Sequence, residues 1–155
     1  MSFRVVPMPY SLVEKARDTM MSPQYKNLPA FSAVATGYGP CRSCLRTFYE
    51  GEEERLYITY NPFDGLSEPP LPGHIFIHTE RCEEYTDMGF PPDLLRLPLL
   101  FEGFADNSEM IKREKMDKEN LEAQIAEMFV NPSVRFVNIR NAEAGCFVAR
   151  IERAR

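Results

Sequence analysis

The side chains best equipped for chemistry are gathered between positions 41 and 82. That stretch holds three of the four cysteines and both histidines of the 155-residue chain. It opens with Cys41-Arg42-Ser43-Cys44 and closes with His74-Ile75-Phe76-Ile77-His78-Thr79-Glu80-Arg81-Cys82. Two cysteines separated by two residues on a tight turn can present both thiolates to one ion with little backbone strain. His78 and Cys82, four apart, have the compact spacing of a second ligand pair. Together Cys41, Cys44, His78 and Cys82 make a Cys3His set, a composition used for structural zinc. His74 and His78 share one face of an extended segment, but four residues span roughly 13 Å. One ion cannot take both, so His78, beside Cys82, is the expected ligand and His74 is not.

Two other chemistries fit the same residues. Cys41 or Cys44 could act as a reactive thiolate with His78 as base or orienting partner; Arg42 and Arg46 flank Cys44 and would favour its ionised form. Against this, no strand–CxxC–helix context of the thioredoxin kind surrounds the motif. The remaining reading is that the cysteines pack as small apolar groups. Cys146 lies apart, in Ala144-Gly145-Cys146-Phe147-Val148-Ala149-Arg150-Ile151. Alternation puts it on a strand face with Val148 and Arg150, opposite Phe147, Ala149 and Ile151. It is expected in the core or on the sheet face, with a fourth thiol ligand in place of His78 as the alternative.

These residues need elements to hold them. Phe3 to Val6 favours a strand. Ser11-Leu12-Val13-Glu14 matches a capping box, and Val13, Ala16 and Met20 follow at helical spacing, so a short helix is predicted over 11–21. Residues 22–40 read as irregular, with a brief strand within Ala30 to Ala35. Arg55 to Tyr60 alternates as a strand, Leu56, Ile58 and Tyr60 on one face. A stiff proline-rich loop follows through Glu68-Pro69-Pro70-Leu71-Pro72-Gly73, and Gly73 to His78 is the next strand. If these two strands pair antiparallel, His78 falls beside the start of the first, where the Cys41–Cys44 turn also arrives.

Residues 79–93 read as loop or one helical turn. Leu97 to Ala105 and Glu109 to Met116 form a hairpin around Asp106-Asn107-Ser108. Asp117 caps a helix whose apolar stripe is Leu121, Ile125, Met128 and Phe129, and Asn131-Pro132 ends it. Two strands, Val134 to Ile139 and Cys146 to Ile151, complete the chain around a turn at 141–145. The pattern is α+β: one domain, 1–155, with two helices packed on a mainly antiparallel sheet.

Composition sets the boundaries. With 44% hydrophobic and 26% charged residues the chain is globular. A net charge of −5 with both signs interspersed argues against a general nucleic-acid binder. No apolar run approaches the roughly 20 residues that cross a bilayer, and the first residues carry no secretory pattern. A cytoplasmic, reducing setting is therefore expected, with thiols available for metal or redox chemistry instead of disulfides. Glu52-Glu53-Glu54 reads as a solvated charge run, as does the mixed-sign stretch from Lys112 to Glu119. Arg135, Arg140, Arg150, Arg153 and Arg155, with Asn138 and Asn141, make the last strands locally basic and suggest a small anion or an acidic protein as partner. No phosphate-binding glycine loop, HExxH or GxSxG motif is present.

Cys41-Arg42-Ser43-Cys44-Leu45, Gly73-His74-Ile75-Phe76-Ile77-His78 with Cys82, and Arg140-Asn141-Ala142 with Gly145-Cys146-Phe147 resemble, in this order, an uncharacterised family of small, mainly bacterial proteins known as a domain of unknown function. The resemblance runs from about 40 to 152. It implies family cysteines at Cys41, Cys44, Cys82 and Cys146 and a histidine at His78. It implies proline at the place of His74, and it admits Cys146 to the cluster. From residues and resemblance together, the expectation is a structural zinc site in an interaction or regulatory module. The alternatives are a cysteine-dependent enzyme or thiol redox protein using Cys41/Cys44 with His78, and a metal-free binding module.

Overall fold

The computed structural model describes residues 3–37, 39–63 and 73–154. Among these, eight strands divide into two antiparallel sheets instead of the single sheet expected. The larger holds β1 (Phe3–Val6), β5 (Leu99–Phe104), β6 (Met110–Lys115), β7 (Phe136–Asn141) and β8 (Phe147–Arg153) in the order β1-β8-β7-β5-β6. The smaller holds β2 (Phe31–Val34), β3 (Glu54–Tyr60) and β4 (Gly73–His78) in the order β2-β3-β4. Two helices accompany them, α1 (Tyr10–Thr19) and α2 (Leu121–Met128). The α+β class is as the sequence indicates. Most of the proline-rich loop expected between β3 and β4 falls outside the described residues.

Each sheet has its own core. Alternation turns Leu99 and Phe101, Val137 and Ile139, and Ala149 and Ile151 to one face of the large sheet, where they meet Ile125, Met128 and Phe129 at the second helix. Leu56, Ile58 and Tyr60 of β3 and Ile75 and Ile77 of β4 face Val13 and Ala16 of α1, and Cys41, Cys44 and Phe147 complete that cluster. A fully buried aliphatic side chain of this size contributes about 1.5–3 kcal/mol, so the small sheet depends on α1 as its cover.

Local details differ from the expected ones for physical reasons. α1 starts at Tyr10, and its N-cap is Pro9 with no side-chain cap, so the Ser11–Glu14 capping box does not form. The Pro9 carbonyl accepts the first-turn N–H groups of Leu12 and Val13 instead. The helix stops at Met20, which adopts the left-handed conformation and returns its N–H to Ala16 O. Asp117 does cap, accepting from Glu119 N and Asn120 N, but a 3-10 turn at Lys118–Asn120 precedes α2. A register shift between Ile139 and Arg140 brings Arg140 opposite Phe147. An extra residue in one strand reverses which face its neighbours point to. Phe147 therefore joins the small-sheet core while Val148, Ala149 and Ile151 stay in the large one, which corrects the simple alternation expected for this strand.

Candidate metal centre

The centre forms where the turn Cys41–Cys44 lies against the free edge of β4. Arg42 N donates to Phe76 O at 3.1 Å, stitching the turn onto that edge. Leu45 N donates to Cys41 O at 2.8 Å and Cys41 N to Arg46 O at 2.9 Å, closing a knuckle. Closing it forces Leu45 into the left-handed region, φ 61°, a conformation costing roughly 1–2 kcal/mol for a residue with a Cβ. Complete burial of the Leu45 side chain offsets that cost. β3 and β4 pair with Arg55 opposite His78, so His78 does stand at the start of β3, and Cys82 follows within a few residues.

The ligand atoms of Cys41, Cys44, His78 and Cys82 all lie within 4.8 Å of one another. Cys41 Sγ is 3.8 Å from Cys82 Sγ, and Cys44 Sγ is 3.5 Å from His78 Nδ1. With Zn–S near 2.3 Å and Zn–N near 2.0–2.1 Å, a tetrahedral zinc has edges of about 3.8 Å between sulfurs and about 3.6 Å from sulfur to nitrogen. The donor set and these two edges fit such an ion. All four cysteines are free thiols. Cys41, Cys44 and His78 are buried, while Cys82 is partly exposed.

A second layer of groups surrounds the donors. His78 Nε2 lies 2.8 Å from Glu53 Oε2. The two atoms approach without hydrogen-bond geometry, and the negative charge of Glu53 beside Nε2 favours a proton there. That leaves the Nδ1 lone pair facing the sulfurs, the effect that carboxylates have beside ligating imidazoles. His78 N donates to Cys41 Sγ at 3.3 Å, and Arg17 Nη2 donates to Cys82 Sγ at 3.2 Å. Arg17 Nε also donates to His78 O at 3.1 Å, so α1 clamps the His78–Cys82 half of the centre. These donors compensate negative sulfur, which three thiolates around a divalent ion require.

Titration behaviour reflects the crowding of the cluster. Burial, reinforced by Cys44 and Cys82, pushes the Cys41 thiol well up. Hydrogen bonds with Cys41 and then Cys44 hold the Cys82 thiol far below its usual value against opposing burial, with His78 and Arg17 adding to them. For His78, burial acts downward, but Cys44 and Cys82 outweigh it and raise the imidazolium to about 10. Arg46 is raised, chiefly by the charge of Cys44.

The sequence missed Arg17 and Glu53. Glu53, read as part of a solvated run, is turned inward to His78, and Arg17 carried no local signal. Arg42 does not serve Cys44 as its position suggested. It is 3% exposed, and burial lowers its pKa. Its guanidinium donates to Phe147 O, Pro40 O and Cys146 Sγ. Cys146 is not in the four-residue group. His74 stacks on Tyr57 at 4.9 Å, away from the cluster. The basic strands are largely engaged internally: Arg135 pairs with Asp106, Arg140 with Glu102, Arg150 donates to Asn138 and Pro62 O, and Arg153 donates to Val134 O and Phe129 O. Arg155 lies outside the described residues.

Among the described residues no helix is long and apolar enough to cross a membrane. Comparison with curated proteins and with solved structures found no match. A family profile described as "Protein of unknown function (DUF1203)" matches residues 38–153, close to the 40–152 that carry the motif resemblance. The cluster, its knuckle and all the strands from β3 to β8 fall within that span, and the chain belongs to the DUF1203 family.

Proposed function

We propose that Cys41, Cys44, His78 and Cys82 hold one zinc ion in a closed structural site, and that the protein is an interaction or regulatory module built around it. The observation that carries this reading is the pair of donor separations, 3.8 Å and 3.5 Å, which match tetrahedral zinc edges. The Glu53–His78 contact and the N–H donors on Cys41 and Cys82 support it. Four protein ligands leave no open coordination position, so the ion's contribution would be structural: it ties the knuckle, the end of β4 and the Cys82 segment into one unit. A reducing, cytoplasmic setting would keep these thiols available, and a protein or a small anionic molecule is the expected partner.

A second reading draws on a specific alignment. Cys44 Sγ, His78 Nδ1 and Glu53 Oε2 form a nucleophile–base–orienter line at 3.5 Å and 2.8 Å. A cleft of about 490 Å³ with acidic residues in its lining opens beside Cys44. Cys41 and Cys82 have no role in such a line, and Cys44 is only 6% exposed, which favours the metal reading.

Chelation combined with alkylation separates them. For a structural ion, binding energy is folding energy, so chelator lowers the unfolding temperature and exposes thiols that were inert. Cys82, partly exposed and held toward its thiolate, then reacts first. For a thiol enzyme, chelator changes neither stability nor reactivity, and Cys44 reacts rapidly near neutral pH without it.

A further inference from the structure

The four donors of the centre are not placed alike toward solvent or toward one another. Cys41, Cys44 and His78 are buried, while Cys82 is partly exposed. A small solute therefore meets the cluster first at the Cys82 sulfur. Cys82 Sγ lies 3.8 Å from Cys41 Sγ, whereas Cys44 Sγ faces His78 Nδ1 at 3.5 Å. Bonded sulfurs stand about 2.05 Å apart, so Cys41 and Cys82 have about 1.8 Å to close.

The backbone around each sulfur decides which one moves. Cys41 is held on three sides: its N–H donates to Arg46 O, its carbonyl accepts from Leu45 N, and its sulfur accepts from His78 N at 3.3 Å. Cys82 sits in residues 79–91, which carry no helix or strand. The backbone of that stretch is pinned on either side of Cys82, by Thr79 N to Glu54 O and by Tyr85 N to Ser43 O. Arg17 Nη2 positions the sulfur itself at 3.2 Å, and one side-chain hydrogen bond yields more readily than a closed turn. Cys82 is thus the mobile partner and Cys41 the fixed one. A link inside the knuckle, from Cys41 to Cys44, would begin at a buried sulfur and would take Cys44 away from His78.

We propose, resting on the reading that the centre holds zinc, that it is a peroxide-responsive switch in which oxidation links Cys41 to Cys82 and releases the ion. The Cys82 thiolate attacks one oxygen of the peroxide, the O–O bond breaks, hydroxide leaves and Cys82 becomes a sulfenic acid. The Cys41 thiolate then attacks the Cys82 sulfur, the S–O bond breaks, a second hydroxide leaves and the S–S bond forms. Two thiolates give up two electrons in all, and one peroxide is reduced to two hydroxides, which take protons from solvent. Cys44 and His78 remain, two donors where a closed zinc site needs four. The new bond keeps the Cys82 segment on the knuckle, while the tie to the end of β4 through His78 is lost. Thiol exchange with an external reductant reverses the link, and the restored donors take up zinc again.

The test measures zinc content first, on the full chain purified under reducing conditions. Hydrogen peroxide is then added stepwise beside a chromophoric zinc indicator, and thiol states are mapped by mass spectrometry without reductant. We expect about one zinc released per disulfide formed, a Cys41–Cys82 cross-linked peptide, Cys44 still a thiol, and zinc binding regained after reductant and added zinc. Cys146, outside the cluster, reports how much oxidant the chain has met. Cys146→Ser should release zinc and form the same link. Zinc retained at doses that oxidise Cys146, a Cys41–Cys44 link, Cys82 oxidised without a cross-link, or release that disappears in Cys146→Ser would overturn the proposal and leave the zinc reading standing. Protein without zinc before any oxidant is added would overturn both.

Discussion

At the scale of single residues, the centre depends as much on its supporting groups as on its donors. Glu53 is the most informative of these because, of the four donor residues, it contacts His78: Oε2 faces His78 Nε2, while Oε1 accepts from Tyr49 N at 2.8 Å and holds the carboxylate in place. Glu53→Gln keeps the shape and an acceptor but removes the charge that orients and strengthens the imidazole. Loss of such a partner lowers metal affinity by about 10–100-fold. Competition against a chromophoric chelator should show that drop with the circular dichroism spectrum unchanged; equal affinity in both proteins would remove Glu53 from the account. The donors were legible in the sequence because thiol and imidazole spacing is local. Glu53 and Arg17 were not: one was masked by neighbouring acids that are solvated, and the other reaches partners 61 and 65 residues away.

At the scale of elements, the knuckle is the part under strain. Leu45 holds a left-handed conformation and is completely buried among Leu94, Leu97 and their neighbours. Glycine would relieve the backbone by roughly 1–2 kcal/mol, but deleting a buried leucine side chain costs about 2–5 kcal/mol. The second effect wins, so Leu45→Gly should destabilise the protein by about 1–3 kcal/mol in urea unfolding. A variant more stable than the parent would mean that the turn, and not the side chain, governs this position. Alternation disclosed β3, β4 and the β5–β6 hairpin closely, since a period of two is a local property. The bulge at Arg140 was hidden, because it arises from the pairing of two strands and not from either strand alone. The capping box failed for a comparable reason: the start of α1 was set by Pro9, whose carbonyl takes the first N–H groups.

At the scale of the whole molecule, the chain builds two sheets with separate cores, and the knuckle is fastened to both. Arg42 bonds β4 through Phe76 O and the start of β8 through Phe147 O. The division into two sheets, and the pairing of β1 with β8 from opposite ends of the chain, could not be seen in the sequence, which orders strands along the chain and leaves their partners open. Placing His78 at the start of β3 was the one long-range step the sequence allowed, because two adjacent strands joined by one loop pair antiparallel by default. The consequence is that one ion would join three segments distant in sequence: the knuckle, the end of β4 and the Cys82 loop. The most direct test is elemental analysis with a free-thiol count, on protein purified under reducing conditions without chelator. The account predicts about one zinc per chain, with Cys41, Cys44 and Cys82 inert until the ion is removed and Cys146 reactive throughout. Protein without metal, whose four thiols all react at once, would contradict it.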